Sequence, residues 1–209
     1  NTVVGSSAGN QITTGTHNSC FGRNAGNAIT TAKGVTAIGS NAAKSLTTAT
    51  NILASGTTAV GYESLQSATT SPDNTAVGWQ ALKTLATGNG QNNAVGVYAL
   101  KNATTAFRNN AFGYQTLQAV TTGSDNNALG NGALSSITTS SENTAIGRSA
   151  GHASTGSNNT FLGASTSFNQ AVSGSNNTII GYGASASATS VSNEVTIGNS
   201  SVTKFRVPG

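Results

Sequence analysis

The chain is poor in almost everything a catalytic domain is built from. Its 209 residues hold no Met, one Cys, one Trp and two Pro, and only 7% are charged and 5% aromatic. Val, Ile, Leu and Phe together supply 38 residues, too few for the thick aliphatic core of an ordinary globular enzyme. A lone Cys20 excludes an internal disulfide framework. No apolar run approaches the roughly 18 to 20 residues that a spanning helix needs, so no membrane insertion is expected. Nothing at the start reads as a signal peptide.

Charge excludes further classes. Nine Lys and Arg stand against five Asp and Glu, but the basic residues are scattered, which argues against a nucleic-acid partner. The acids Glu63, Asp73, Asp125, Glu142 and Glu194 are spread along the chain, and His17 and His152 are far apart, so no carboxylate pair, triad or metal cluster is expected. The glycines form neither a phosphate loop nor a dinucleotide fingerprint. No catalytic residue, metal ligand or cofactor is therefore assigned, and the chain is not read as an enzyme.

What the sequence does have is a repeat. A short polar lead, a small residue, a large apolar residue and a glycine recur at Gly5, Gly22, Gly39, Gly61, Gly78, Gly96, Gly113, Gly130, Gly147, Gly163, Gly181 and Gly198, at a spacing of 16 to 18 residues apart from one gap of 22. The position before each anchor glycine is always large and apolar, from Val4 and Phe21 to Ile180 and Ile197. That constancy predicts a buried stack. The position before that is Ala in seven copies, and Cys20 occupies the same slot as a small hydrophobe. Leu65, Leu82, Leu100, Leu117 and Leu134 form a second apolar column four residues after the anchor, replaced by Gly9, Gly26 and Gly151 elsewhere; the replacement suggests a cross-section that changes along the axis.

The period suits two short strands per unit joined by tight turns. Helical repeats are longer, and Gly, Asn and Thr disfavour helix interiors. A 17-residue unit cannot bury its own apolar face, but stacked copies share a continuous narrow core. The expected fold is thus an all-β parallel solenoid, a β-roll or β-helix of about twelve coils and roughly 55 to 60 Å at ~4.8 Å per coil. It should cover residues 1–198 with an insertion near 44–56, followed by an exit segment at 199–209.

Two polar ladders accompany the core. Asn stands four residues before the anchor in nine copies, among them Asn74, Asn92, Asn109, Asn126 and Asn143, which suggests turn capping and amide stacking. A Thr-Thr pair follows the anchor by eight and nine residues in seven copies. It reads as strand-forming with hydroxyl contacts between rungs, or alternatively as the flat face of an ice-binding solenoid. Tyr62, Trp79, Tyr98, Tyr114 and Tyr182 lie at or beside the position after the anchor and are the candidate surface contacts, able to stack on sugars or to cover seams between chains.

Segments such as Asn74-Thr75-Ala76-Val77-Gly78 and Asn143-Thr144-Ala145-Ile146-Gly147 resemble the repeats of trimeric autotransporter adhesin heads. Trp79-Gln80-Ala81-Leu82 and Tyr114-Gln115-Thr116-Leu117, which follow the anchor, resemble more closely the longer repeats of phage and virus tail-fibre proteins. The final segment, from Ile197-Gly198-Asn199 to Val207-Pro208-Gly209, is similar to the exit sequence of such fibres, which leads into distal regions. The resemblance implies three chains side by side in a homotrimeric fibre on the virion surface, projecting elements that bind a host cell-surface glycan or protein. A trimeric adhesin head on a bacterial cell surface is the alternative with the same architecture.

Overall fold

The computed structural model describes residues 1–47, 56–204 and Arg206. It is an all-β solenoid: twelve three-residue strands, from Thr2–Val4 to Val195–Ile197, pair in parallel and strictly in sequence order in a single sheet. Successive strands match residue for residue, Asn110 with Asn127, Ala111 with Ala128 and Phe112 with Leu129, so the repeat seen in the sequence is the register of the coils. About eleven turns separate the first strand from the last. Residues 48–55, the centre of the expected insertion, lie outside the described residues, as do 205 and 207–209 of the expected exit segment. The coils keep register on either side of the insertion: the Thr30 N–H donates to the Thr47 carbonyl at 2.9 Å, and the Thr47 N–H to the Thr69 carbonyl at 3.1 Å.

Among the described residues each coil contains one strand rather than the expected two. The cause is backbone conformation outside the strand. In the coil anchored at Gly113, Arg108, Gln115 and Leu117 all have φ between 53° and 55°, and Gly113 itself has φ 136°. Left-handed residues at four places in every 17 leave no second extended run. The Thr pairs therefore sit on bends, yet their N–H groups still reach the next coil, Thr104 to the Thr121 carbonyl and Thr121 to the Thr138 carbonyl, both at 2.8 Å.

The buried and exposed columns are the reverse of one expectation. The residue before each anchor, predicted to be a buried stack, faces outward: Val4, Phe21, Ile38, Phe112, Leu129, Ile146, Leu162 and Ile197 are all exposed, Leu129 at 52%. The middle strand residue is the one that faces inward. Ala37, Ala59, Ala76, Ala94, Ala111 and Ala145 are fully buried, as are Cys20, Phe161 and Ile179 in the same column. Strand side chains alternate sides, so an inward Ala places both of its neighbours outside.

Opposite the Ala column, Leu65, Leu82, Leu100, Leu117 and Leu134 fill the core with no exposed surface. All five have φ near +50°, a conformation that costs an L-residue about 1 to 2 kcal/mol. Burying a Leu side chain yields about 1.5 to 3 kcal/mol, so packing outweighs the backbone strain. Where glycine relieves the strain, a neighbour takes the vacated space. A Cβ on Gly151 would meet Phe161 Cδ2 at 2.6 Å and Leu134 Cδ2 at 2.9 Å, and one on Gly26 would meet Ile29 Cδ1 at 2.6 Å and Cys20 Sγ at 2.7 Å. The glycine copies thus exchange volume between columns.

Candidate contact surface

Two columns of the solenoid present themselves to a partner. The first is the apolar ladder just described, which runs along the outer side of the sheet through every coil, with the Thr, Asn or Ser that opens every strand but the last beside it. At Phe112, Leu129 and Ile146 it forms a shallow depression of about 190 Å³, edged by Asn110, Asn127 and Thr144. Monomeric soluble proteins rarely expose contiguous apolar patches above a few hundred Å². A stripe of large apolar residues along a rod, exposed in eight coils and half-buried at Val60, Val77, Val95 and Ile180, is the feature of this surface that most needs a partner.

The second column follows the anchor glycines and carries most of the candidate aromatics. Tyr62 and Trp79 are exposed and stacked, with ring centroids 4.4 Å apart and planes 28° apart. Tyr98 and Tyr114 form a looser pair, 6.3 Å apart and tilted by 58°. Val97 fills the slot between Trp79 and Tyr114, and Tyr98 sits one residue later, half-buried, in the left-handed position with φ 62°. The Lys101 ammonium lies 4.7 Å from the Tyr98 ring centre. Tyr182 is 70% exposed and belongs to neither pair. The five candidates thus form two pairs and a single ring.

Sequence reasoning missed the polar group beside the first pair. Glu63 Oε2 accepts hydrogen bonds from Gln80 Nε2 at 2.9 Å and from the Lys83 ammonium at 2.7 Å. The signal was available in the register, since Glu63 and Gln80 are equivalent positions of consecutive copies. Lys83 holds the Glu63 carboxyl below its ordinary range, and the Glu63 carboxylate, by hydrogen bonding and by charge, raises the Tyr62 phenol.

Two other carboxylates are similarly held. Asp125 receives a two-pronged contact from Arg108, at 2.6 Å and 2.9 Å, which lowers its pKa. Glu194 accepts from the hydroxyl and backbone N–H of Ser187 and from Thr196 Oγ1, and is lowered as well. Each of these carboxyls binds its proton less tightly folded than unfolded, so its stabilising contribution is complete above the unfolded value near pH 4 and is lost as pH falls further. Melting temperature followed by circular dichroism is expected to decline below about pH 4. A melting temperature unchanged from pH 6 down to about pH 2 would contradict these contacts.

Other sequence candidates show less. Cys20 is fully buried and its thiol is raised by desolvation, consistent with a packing role. The first threonine of six of the seven pairs donates its hydroxyl to a carbonyl of the next coil: Thr13 Oγ1 to Thr30 at 3.0 Å, and Thr104 Oγ1 to Thr121 at 3.1 Å. Among the described residues, no three of His, Cys, Asp and Glu lie together as metal ligands would. Comparison of the chain with protein-family models, with curated proteins and with solved structures gives no match.

Proposed function

We propose that this chain is a rigid shaft segment of a homotrimeric virion tail fibre, with three solenoids side by side and their apolar ladders turned toward one another. The observation that carries the reading is the outward placement of Val4 through Ile197. A solenoid that needed to be soluble alone would carry polar residues there, as it does at the strand position two residues earlier, where Thr, Asn and Ser predominate. Association along the ladder removes that apolar surface from water, each fully buried Val, Ile, Leu or Phe contributing about 1.5 to 3 kcal/mol. The trimer number and the virion setting come from the resemblance of the repeats to tail-fibre sequences. The fibre's task is mechanical and adhesive: it holds binding elements away from the particle and presents its own flanks to the host surface.

Light scattering on the purified chain is expected to give a mass about three times its 20.6 kDa, with Leu129→Asp combined with Ile146→Asp reducing it to the monomer while the circular dichroism spectrum stays the same. Both positions point outward, so the charges do not enter the core. A wild-type monomer, or a trimer indifferent to the double substitution, would refute the packing. Immunogold labelling is expected to mark virion tail fibres; label confined to bacterial cells would move the reading to a surface adhesin.

A further inference from the structure

We infer that the Tyr62–Trp79 pair and its polar rim form a binding platform for a neutral saccharide. The inference rests on the fibre reading only for its setting, namely that a ligand on the flank of the rod would be a host-surface glycan.

Trp79 is the sole indole of the chain and is 47% exposed. Exposed aromatic surface is costly to leave in water, and here two rings stack in adjacent coils to make a patch larger than either alone. The axial faces of a pyranose carry C–H groups that pack on such a surface, and the aromatic quadrupole favours the positive edge of those groups. Stacking covers one face of each ring, yet Tyr62 remains 36% exposed beside Trp79.

A sugar also needs hydrogen-bonding groups of both kinds, because each hydroxyl donates and accepts. Glu63, Gln80 and Lys83 supply them. The carboxylate accepts, the ammonium donates, and the amide has both an acceptor and a donor. The three are tied together at Glu63 Oε2. The rim is thereby ordered before a ligand arrives, which lowers the entropy cost of binding. Glu63 and Lys83 offset each other's charge within the rim.

The next coils extend the platform. Tyr98 and Tyr114 lie on the same side of the rod, and Gln115 occupies the register position of Gln80. At ~4.8 Å per coil this second pair begins about one coil beyond Trp79, within reach of the same oligosaccharide. A protein anchor would be served better by a concave apolar pocket, and the depression at Phe112, Leu129 and Ile146 is instead part of the face assigned to chain packing.

Because Trp79 is the only indole, its emission reports on this site alone. The 209-residue chain is titrated with neutral hexasaccharides of glucose, galactose, mannose and N-acetylglucosamine, each up to about 10 mM, above the ~1 mM range of a weak site. At least one is expected to change the emission saturably. Tyr62→Ala is expected to weaken that sugar's binding by about tenfold, and Tyr182→Ala to leave it unchanged. Trp79→Ala, followed by calorimetry with the same sugar, should behave like Tyr62→Ala. No response from the whole panel, binding that survives Trp79→Ala, or an indole shielded from acrylamide, which would place the rings in a seam between chains, overturns the inference. Scattering mass is measured on the same samples. A wild-type monomer that binds sugar refutes the fibre alone, and a trimer that does not bind refutes the platform alone.

Discussion

Replacing Gly96 by Ala is expected to destabilise the solenoid by about 4 kcal/mol or more, at the far end of what single substitutions do. Two effects combine. Gly96 has φ 136°, a region essentially closed to residues with a Cβ. A Cβ built there would also lie 2.3 Å from the Gly113 carbonyl oxygen and 2.6 Å from its carbon. Those are backbone atoms of the next coil, so no side chain can rotate away, and relief requires the coils to part where the Gly113 N–H bonds the Val95 carbonyl at 2.8 Å. The same geometry recurs from Gly5 against Gly22 to Gly163 against Gly181, which explains the anchor glycine in ten of the twelve copies. Gly132 separates the two causes. It has φ 66°, but its hypothetical Cβ meets nothing nearer than 3.8 Å, so Gly132→Ala is expected to cost only the left-handed conformation, about 1 to 2 kcal/mol. Urea denaturation of both variants checks the pair; equal losses would show that coil contact at the anchor is not the reason for glycine.

The anchor column was legible in the sequence because its requirement is absolute and repeats without exception. The Leu and Ala columns were legible for a similar reason, since Leu65 through Leu134 and Ala37 through Ala145 recur at one register. The direction in which a column points was harder to read. Constancy of Val4, Phe21, Ile38 and their equivalents marks a selected environment, and both a core and an inter-chain contact select for large aliphatics. What decides between them is local: the strand is three residues long, the interior at its centre admits an Ala, and alternation sends the larger neighbour outside. A core built on these bulky residues would have left the Ala column outside, where nothing explains its narrow composition.

The single strand per coil escaped notice for a different reason. Leu at φ near +50° contradicts ordinary propensity, and only the burial of its side chain makes the conformation tolerable, a tertiary effect absent from local sequence. The glycines that replace Leu at Gly9, Gly26 and Gly151 were the visible trace of that left-handed position. The Glu63 hub was hidden in another way: its members are 17 and 20 residues apart and become neighbours only once the coils are stacked in register.

The asparagine ladder supplies the second large expected effect. Asn109 is fully buried. Its Nδ2 donates to the Asn92 side chain, the Phe107 carbonyl and, at 2.9 Å, the Gly123 carbonyl, while its Oδ1 accepts from both the backbone N–H and the side-chain amide of Asn126 at 3.0 Å. Asn109→Leu is similar in size but leaves the Asn126 N–H and the Gly123 carbonyl buried without these partners. At about 1 to 3 kcal/mol for each stranded group, the loss should reach about 3 kcal/mol or more. Thr104→Val, by contrast, removes one hydroxyl bond on an exposed bend, to the Thr121 carbonyl, and should cost less than about 1 kcal/mol. Each coil touches only its neighbours, so the damage should be local. Hydrogen exchange is expected to accelerate most in the coils carrying Asn92, Asn109 and Asn126 and to stay near wild type around Asn18 and Asn177. Uniform acceleration along the chain would mean that the solenoid unfolds as one cooperative unit, and a loss no greater than that of Thr104→Val would show that the buried amides do not hold the coils together.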